Sequence, residues 1–77
     1  MSEFPTKPVL LTGASGALGR QLTAYLSALG WPLRLTDIVP FPGPLPKGAT
    51  FTRADLADGV DILRLAEGCG MILHFGG

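Results

Sequence analysis

Three regularly spaced glycines form the stretch of this sequence that is best suited to bind a ligand. Gly13, Gly16 and Gly19 follow the apolar run 9–11 and lead into a segment with helical apolar spacing, so they occupy a strand-to-helix turn. A turn that lacks side chains brings backbone N–H groups and the positive end of a helix dipole close to a diphosphate. We predict that this turn binds the pyrophosphate of a dinucleotide. A structural turn without a ligand is the alternative, because 11 of the 77 residues are glycine.

Each glycine has its own predicted role in that turn. Gly13 and Gly16 provide the tight turn and the close approach of the backbone, and Gly19 lets the helix pack closely on its strand. The spacing Gly-x-x-Gly-x-x-Gly is one residue longer in its first gap than the commoner dinucleotide fingerprint. The context between strand and helix therefore carries more weight than the glycine pattern itself.

An aspartate at the end of a second strand predicts which dinucleotide binds. Asp37 follows the alternating segment 33–36, where a carboxylate accepts hydrogen bonds from the adenosine ribose and repels a 2′-phosphate. Neither Ala14 nor Ser15 is basic, and no Lys or Arg directly follows Asp37. The sequence thus favours NAD over NADP. A solvated turn aspartate is the alternative.

Two further strand ends carry candidate binding residues. Asp55 and Leu56 follow the third strand, where they could contact the adenine, although an aspartate near a helix start is often a cap. The fourth strand ends in His74 and Phe75, followed by two glycines at 76–77 that would let the backbone approach a cofactor. A lone histidine in an apolar strand is usually a packed side chain, and no catalytic partner for His74 is identifiable.

The elements that must position these residues alternate along the chain. We predict strands over 9–11, 33–36, 49–53 and 71–75, a helix from residue 17 to about 29, and a second helix from an Asp58 cap to a stop at Gly68. Strands that alternate with helices predict an α/β fold, the first part of a doubly wound, Rossmann-like parallel sheet with the order β-α-β-β-α-β.

The apolar patterns also predict where the elements lie. The first and fourth strands are apolar at successive positions, as in central strands, and the alternating second strand should lie nearer the edge. Leu18 and Tyr25 fall on one apolar face of the first helix, which should pack on the sheet. The stretch 40–48 holds four of the seven prolines and should be a stiff extended connector.

Length and composition limit the function classes. The 77 residues suffice for one small domain, residues 1–77, with a polar, proline-broken tail over 1–7 that is not a signal peptide. Six basic and six acidic residues give a net charge of zero, which argues against nucleic acid or a membrane as the partner. One cysteine, Cys69, and no cluster with metal-ligand spacing argue against a disulfide or a metal and for a cytoplasmic setting.

Taken together, these motifs resemble the N-terminal part of an extended short-chain dehydrogenase/reductase, of the NAD-dependent epimerase/dehydratase family. Within that family the sequence is most similar to the uronate dehydrogenase group. The features that match are Leu11-Thr12-Gly13-Ala14 with Gly19-Arg20, Leu33-Arg34-Leu35-x-Asp37, Asp55-Leu56-Ala57-Asp58, and His74-Phe75-Gly76-Gly77. The resemblance spans nearly all of the chain.

The resemblance implies a set of cofactor-binding residues. These are Gly13, Ser15, Gly16, Ala17, Leu18 and Gly19 for the pyrophosphate, Asp37 and Ile38 for the adenosine ribose, Asp55 and Leu56 for the adenine, and Phe75, Gly76 and Gly77 for the inner portion of the cofactor. The implied activity is oxidation of a hexuronic acid at C1 to an aldarolactone with NAD.

The resemblance implies that this chain alone is inactive. The family uses a tyrosine and a lysine four residues apart for catalysis, and these would lie beyond Gly77 together with the part that binds a sugar acid or nucleotide sugar. We therefore expect no catalytic residue here, weak NAD binding, and self-association through an exposed sheet edge. The alternatives are a segment of a sugar-nucleotide epimerase or dehydratase, and a non-catalytic NAD-binding or interaction module.

Overall fold

A computed structural model describes residues 7–55 and 59–75 of the chain. Four strands form one parallel sheet in the order β3-β2-β1-β4. The elements are β1 Val9–Thr12, α1 Ala17–Ala28, β2 Leu33–Asp37, β3 Ala49–Arg53, α2 Gly59–Ala66 and β4 Met71–His74. The predicted α/β class and element order are confirmed. The predicted Asp58 cap lies outside the described residues.

The core lies between the sheet and α1. Val9 and Leu11 of β1 are in register with Leu33 and Leu35 of β2, and alternation puts all four side chains on one face, where they pack with Leu26 of α1. On the opposite face Leu10 is also fully buried. Burial on both faces is what a run of successive apolar residues in a parallel strand requires, so the prediction for β1 is confirmed.

Helix α1 packs on the sheet through a narrower stripe than its apolar pattern predicts. Its buried residues are Gly19, Thr23 and Leu26, whereas Leu18 is 58% and Tyr25 is 63% exposed. The packing role predicted for Tyr25 is therefore wrong. The helix contacts the turn through Gly19, and Thr23 and Leu26, four and seven residues later, lie on the same face. Tyr25 lies to one side of that face and therefore stays exposed.

The strand positions correct two sequence predictions. The alternating β2 lies inside the sheet between β1 and β3, and β4 lies at an edge of the described sheet. The polar residue that produces the β2 alternation is Arg34, whose Nη1 donates at 2.7 Å to the carbonyls of Leu65 and Glu67. Arg34 thereby caps the last carbonyls of α2. A polar residue with such a partner is compatible with a strand inside the sheet.

The proline-rich connector contains no helix, as predicted. It packs on the core through Phe41, whose ring centroid lies 6.2 Å from that of Phe51. Within the described parts of the chain, no helix is long and apolar enough to cross a membrane.

Candidate functional site

The glycine turn closes tightly at the carboxyl end of β1. Gly13 has a φ of 71°, which glycine adopts without the steric cost that a side chain brings. The Gly16 N–H donates to the Gly13 carbonyl at 3.2 Å, and the Ala14 N–H donates to the Thr36 carbonyl of β2 at 3.2 Å. The turn is thus fastened to the neighbouring strand as well as to itself.

Two of the glycines differ in how much room their surroundings leave for a side chain. A Cβ on Gly19 would lie 2.2 Å from the Gly13 carbonyl oxygen and 2.8 Å from Cα of Ala14, so the helix cannot approach the turn with any side chain there. A Cβ on Gly16 would meet only the Gly13 oxygen, at an ordinary 3.6 Å. The protein's own packing therefore requires Gly19 and leaves open space at Gly16.

The start of α1 presents unused hydrogen-bond donors at that open space. Gly16 is the N-cap and gives no side-chain hydrogen bond to the helix. The first intrahelical bond from this end is that of the Arg20 N–H to the Gly16 carbonyl. Among the described residues, no acceptor takes the N–H groups of Ala17 and Leu18. Such donors at the positive end of a helix dipole suit a phosphate.

The carboxylate of Asp37 lies directly against the glycine turn. Its Oδ2 accepts the Ser15 N–H at 3.0 Å, and its Oδ1 accepts the Val39 N–H at 3.2 Å. The Ser15 hydroxyl donates to the Val39 carbonyl at 2.7 Å, which closes the link between the two loops. Since an ionised carboxylate has about four acceptor positions, Asp37 retains acceptor capacity for ligand hydroxyls.

A shallow depression of about 290 Å³ lies beside Asp37, at the carboxyl ends of β2 and β3. Ile38, Arg53, Ala54 and Asp55 line it. The Ala54 N–H donates to the Asp37 carbonyl at 3.1 Å, which holds the end of β3 next to the end of β2. Ile38 and Asp55, both predicted to contact the adenosine, thus share one depression, while Leu56 lies outside the described residues.

The end of β4 is tied to β1 by a buried threonine. Thr12 is fully buried, and its Oγ1 lies 2.6 Å from Nδ1 of His74. The same oxygen accepts the Phe75 N–H at 3.2 Å, so one hydroxyl holds both His74 and Phe75. This places Phe75 at the carboxyl edge of the sheet, near the glycine turn. The predicted residues Gly76 and Gly77 lie outside the described residues.

This arrangement predicts a stability loss for Thr12→Val. The substitution keeps the shape but removes the hydroxyl that pairs with Nδ1 of His74 and accepts the Phe75 N–H, which is expected to lower the free energy of unfolding by about 1 to 2 kcal/mol. Urea denaturation of the variant and of the parent chain measures the difference. Thr50→Val is the matched control, since Thr50 is an exposed strand residue. Equal stability of the two variants would contradict a structural role for the Thr12 hydroxyl.

The comparisons with known proteins agree with this geometry. The model of the NAD dependent epimerase/dehydratase family matches residues 9–77. The chain belongs to this family. The family is described as NAD dependent, which agrees with the preference for NAD that Asp37 predicts.

Individual relatives point in the same direction. The chain is 42% identical to a uronate dehydrogenase of Pseudomonas putida over 78 aligned positions, which cover 100% of the chain and 29% of that protein. A crystal structure of uronate dehydrogenase from Agrobacterium tumefaciens superposes with a TM-score of 0.79 at 37% identity, over 92% of this chain and 26% of that one. A variant of the Agrobacterium enzyme, which matches equally well, is complexed with NAD. The chain therefore spans less than a third of the length of these relatives.

The residues present in the site fit the cofactor of the family. The open space at Gly16, the uncapped start of α1 and the unused acceptor capacity of Asp37 lie next to one another. Two residues of this region lie outside the predicted set. Thr12 holds the end of β4 through its hydroxyl, and a hydroxyl directly before the turn is the sequence signal for that role. Arg53 gave no signal, because its place beside Asp37 depends on strand register.

Proposed function

We propose that this chain is the NAD-binding segment of an oxidoreductase similar to uronate dehydrogenase. In the whole enzyme a hexuronic acid would be oxidised at C1 to an aldarolactone. NAD supplies the hydride acceptor of this reaction. The observation that carries the proposal is the hydrogen bond between the Ser15 N–H and the Asp37 carboxylate, because it joins a phosphate-binding turn to a ribose-binding acid at 3.0 Å.

The proposed binding roles follow the order of the strand ends. The N–H groups of Ala17 and Leu18, with the space left by Gly13, Gly16 and Gly19, support pyrophosphate binding. The remaining acceptor capacity of Asp37 supports binding of the adenosine ribose hydroxyls. Ser15 contributes by holding the Asp37 carboxylate and the Val39 carbonyl in place.

The other two parts of the cofactor are assigned to the flanking strands. The depression between Ile38 and Asp55 supports binding of the adenine, with Leu56 as a further predicted contact. Phe75, fixed by Thr12, supports contact with the inner portion of the cofactor, and Gly76 and Gly77 complete the predicted set.

We propose that the acid–base chemistry is supplied by residues outside these 77. The single tyrosine, Tyr25, lies on α1 and is followed four residues later by Leu29 rather than by a lysine. The catalytic Tyr-x-x-x-Lys pair implied by the resemblance is thus not formed by Tyr25. The described residues bind and orient the cofactor, and the sugar acid is assigned to a different part of the enzyme.

We also propose a cellular location and a mode of self-association for the chain. A cytoplasmic location is supported by the single cysteine. Self-association through β4 is supported by its position at the edge of the described sheet and by the exposure of Met71 and Ile72, which are 47% and 49% exposed.

A titration of the chain followed by amide NMR tests the NAD site. Addition of NAD is expected to shift the resonances of Ser15, Ala17, Leu18 and Asp37, because these residues surround the proposed pyrophosphate and ribose positions. The amide of Arg64 on α2 is the internal control and should not move. NADP should cause smaller shifts at the same concentration, since Asp37 repels the 2′-phosphate.

The possible results separate clearly. A dispersed spectrum that neither cofactor changes would contradict NAD binding by this chain. A collapsed spectrum would mean that further residues are needed to fold the site.

A further inference from the structure

Arg53 brings a cation to the turn that follows Asp37, where the sequence itself has no adjacent basic residue. The two residues are direct partners in the parallel ladder between β2 and β3, and adjacent strands lie about 4.8 Å apart. The Nε of Arg53 donates to the carbonyl of Ile38, the residue after Asp37, at 2.8 Å. A guanidinium and a carboxylate thus flank the same turn.

The bond to Ile38 orients the guanidinium, and within residues 7–55 and 59–75 its other N–H groups have no hydrogen-bond acceptor. It uses one of the five N–H donors of the side chain. The side chain is exposed and lines the depression together with Ile38, Ala54 and Asp55. An arginine fork that is held at one nitrogen and open at the others has the geometry for charge-assisted hydrogen bonds to a phosphate.

We propose that Arg53 is a specificity-determining residue that can receive a 2′-phosphate. Exclusion of NADP then rests on the Asp37 carboxylate at the ribose position, since a cation that suits a 2′-phosphate is already in place beside it, in the depression that Asp55 also lines. The inference rests on the proposed NAD site. It adds the residue that determines the ratio of the NAD and NADP affinities. No other described residue combines a positive charge with the lining of this depression.

A stacking role for Arg53 leads to a different result. A guanidinium that stacked on the adenine face would strengthen NAD and NADP binding equally, because the base is the same in both. A guanidinium that receives the 2′-phosphate strengthens only NADP binding. The ratio of the two affinities therefore distinguishes the roles.

The test is a double-mutant cycle on the full chain with Asp37→Asn and Arg53→Gln. The asparagine removes the charge and keeps one oxygen that can accept the Ser15 N–H, whereas the Val39 N–H loses its acceptor. The dissociation constants of NAD and NADP are measured by calorimetry for the parent, both single variants and the double variant. Asp37→Asn is expected to strengthen NADP binding about tenfold, and adding Arg53→Gln should remove about five- to tenfold of that gain.

Controls separate charge, stacking and folding. Arg64→Gln removes the same charge from the exposed last turn of α2 and should leave NADP binding of the Asp37→Asn variant unchanged within about twofold. Arg53→Lys keeps the charge and should retain most of the gain. Amide spectra of every variant check that the fold is intact.

Three results would overturn the proposal or its basis. Equal NADP binding by Asp37→Asn with and without Arg53→Gln removes the role of Arg53. Equal weakening of NAD and NADP by Arg53→Gln alone assigns the side chain to stacking instead. A parent chain that binds neither cofactor, with a dispersed amide spectrum, overturns the proposed NAD site itself, which is a distinct failure.

Discussion

Gly19→Ala is expected to destabilise the chain and to weaken NAD binding at the same time. The added Cβ would lie 2.2 Å from the Gly13 carbonyl oxygen and 2.8 Å from Cα of Ala14, and both atoms belong to backbone that cannot rotate away. Alanine is intrinsically the better helix former by about 1 kcal/mol, yet the displacement of α1 should produce a net loss of about 2 kcal/mol. NAD affinity should fall at least tenfold, because the start of α1 moves away from the turn. Urea denaturation and calorimetric titration measure the two effects.

Gly16→Ala is the matched control for this prediction. The φ of Gly16 is −75°, which any residue adopts, and the nearest protein atom to an added Cβ lies at 3.6 Å. The free energy of unfolding should therefore stay within about 0.5 kcal/mol of the parent value. NAD affinity should nevertheless fall, since the methyl group occupies the space assigned to the pyrophosphate. Unchanged NAD binding by Gly16→Ala would contradict that assignment, and unchanged stability of Gly19→Ala would contradict the described packing.

The sequence predicts the elements well because each has a local signal. The strand over Ala49–Arg53 and the start of α1 at Ala17 have the predicted bounds, since turn residues and apolar periods mark them directly. The roles of Gly13 and Gly19 also follow from the turn itself. The sequence alone therefore locates the glycine turn and the acid that ends the second strand.

What escapes the sequence depends on contacts between distant segments. Arg34 gives β2 the alternating pattern of a strand near the edge, although β2 lies inside the sheet. Its guanidinium is hydrogen-bonded to carbonyls at the end of α2, a contact that the local sequence does not indicate. The side of α1 that packs is set by the contact of Gly19 with the turn, which leaves Tyr25 exposed. Asp37 and Arg53 are paired by the register of β2 and β3. Because the proline-rich connector separates the two strands, no local sequence pattern predicts that register.

Leu35→Ala is expected to destabilise the chain strongly. Leu35 is fully buried in the middle of β2, two positions before Asp37, and truncation of such a leucine costs about 3 kcal/mol through lost burial and the cavity that remains. A 77-residue domain has a total stability of about 4 to 12 kcal/mol. The variant should therefore unfold at a much lower urea concentration than the parent.

The same substitution tests whether the core and the site are coupled. Leu45→Ala is the control, because Leu45 lies in the connector and is 42% exposed, so its removal should cost about 0.5 kcal/mol or less. The Asp37 carboxylate is held from one side by β2 and from the other by the Ser15 and Val39 amides. If the strand positions the acid, NAD affinity of the folded Leu35→Ala chain falls together with its stability, whereas a carboxylate held by the loop amides alone would retain parent affinity. The comparison shows whether the buried strand or the contacting turn determines the position of the Asp37 carboxylate.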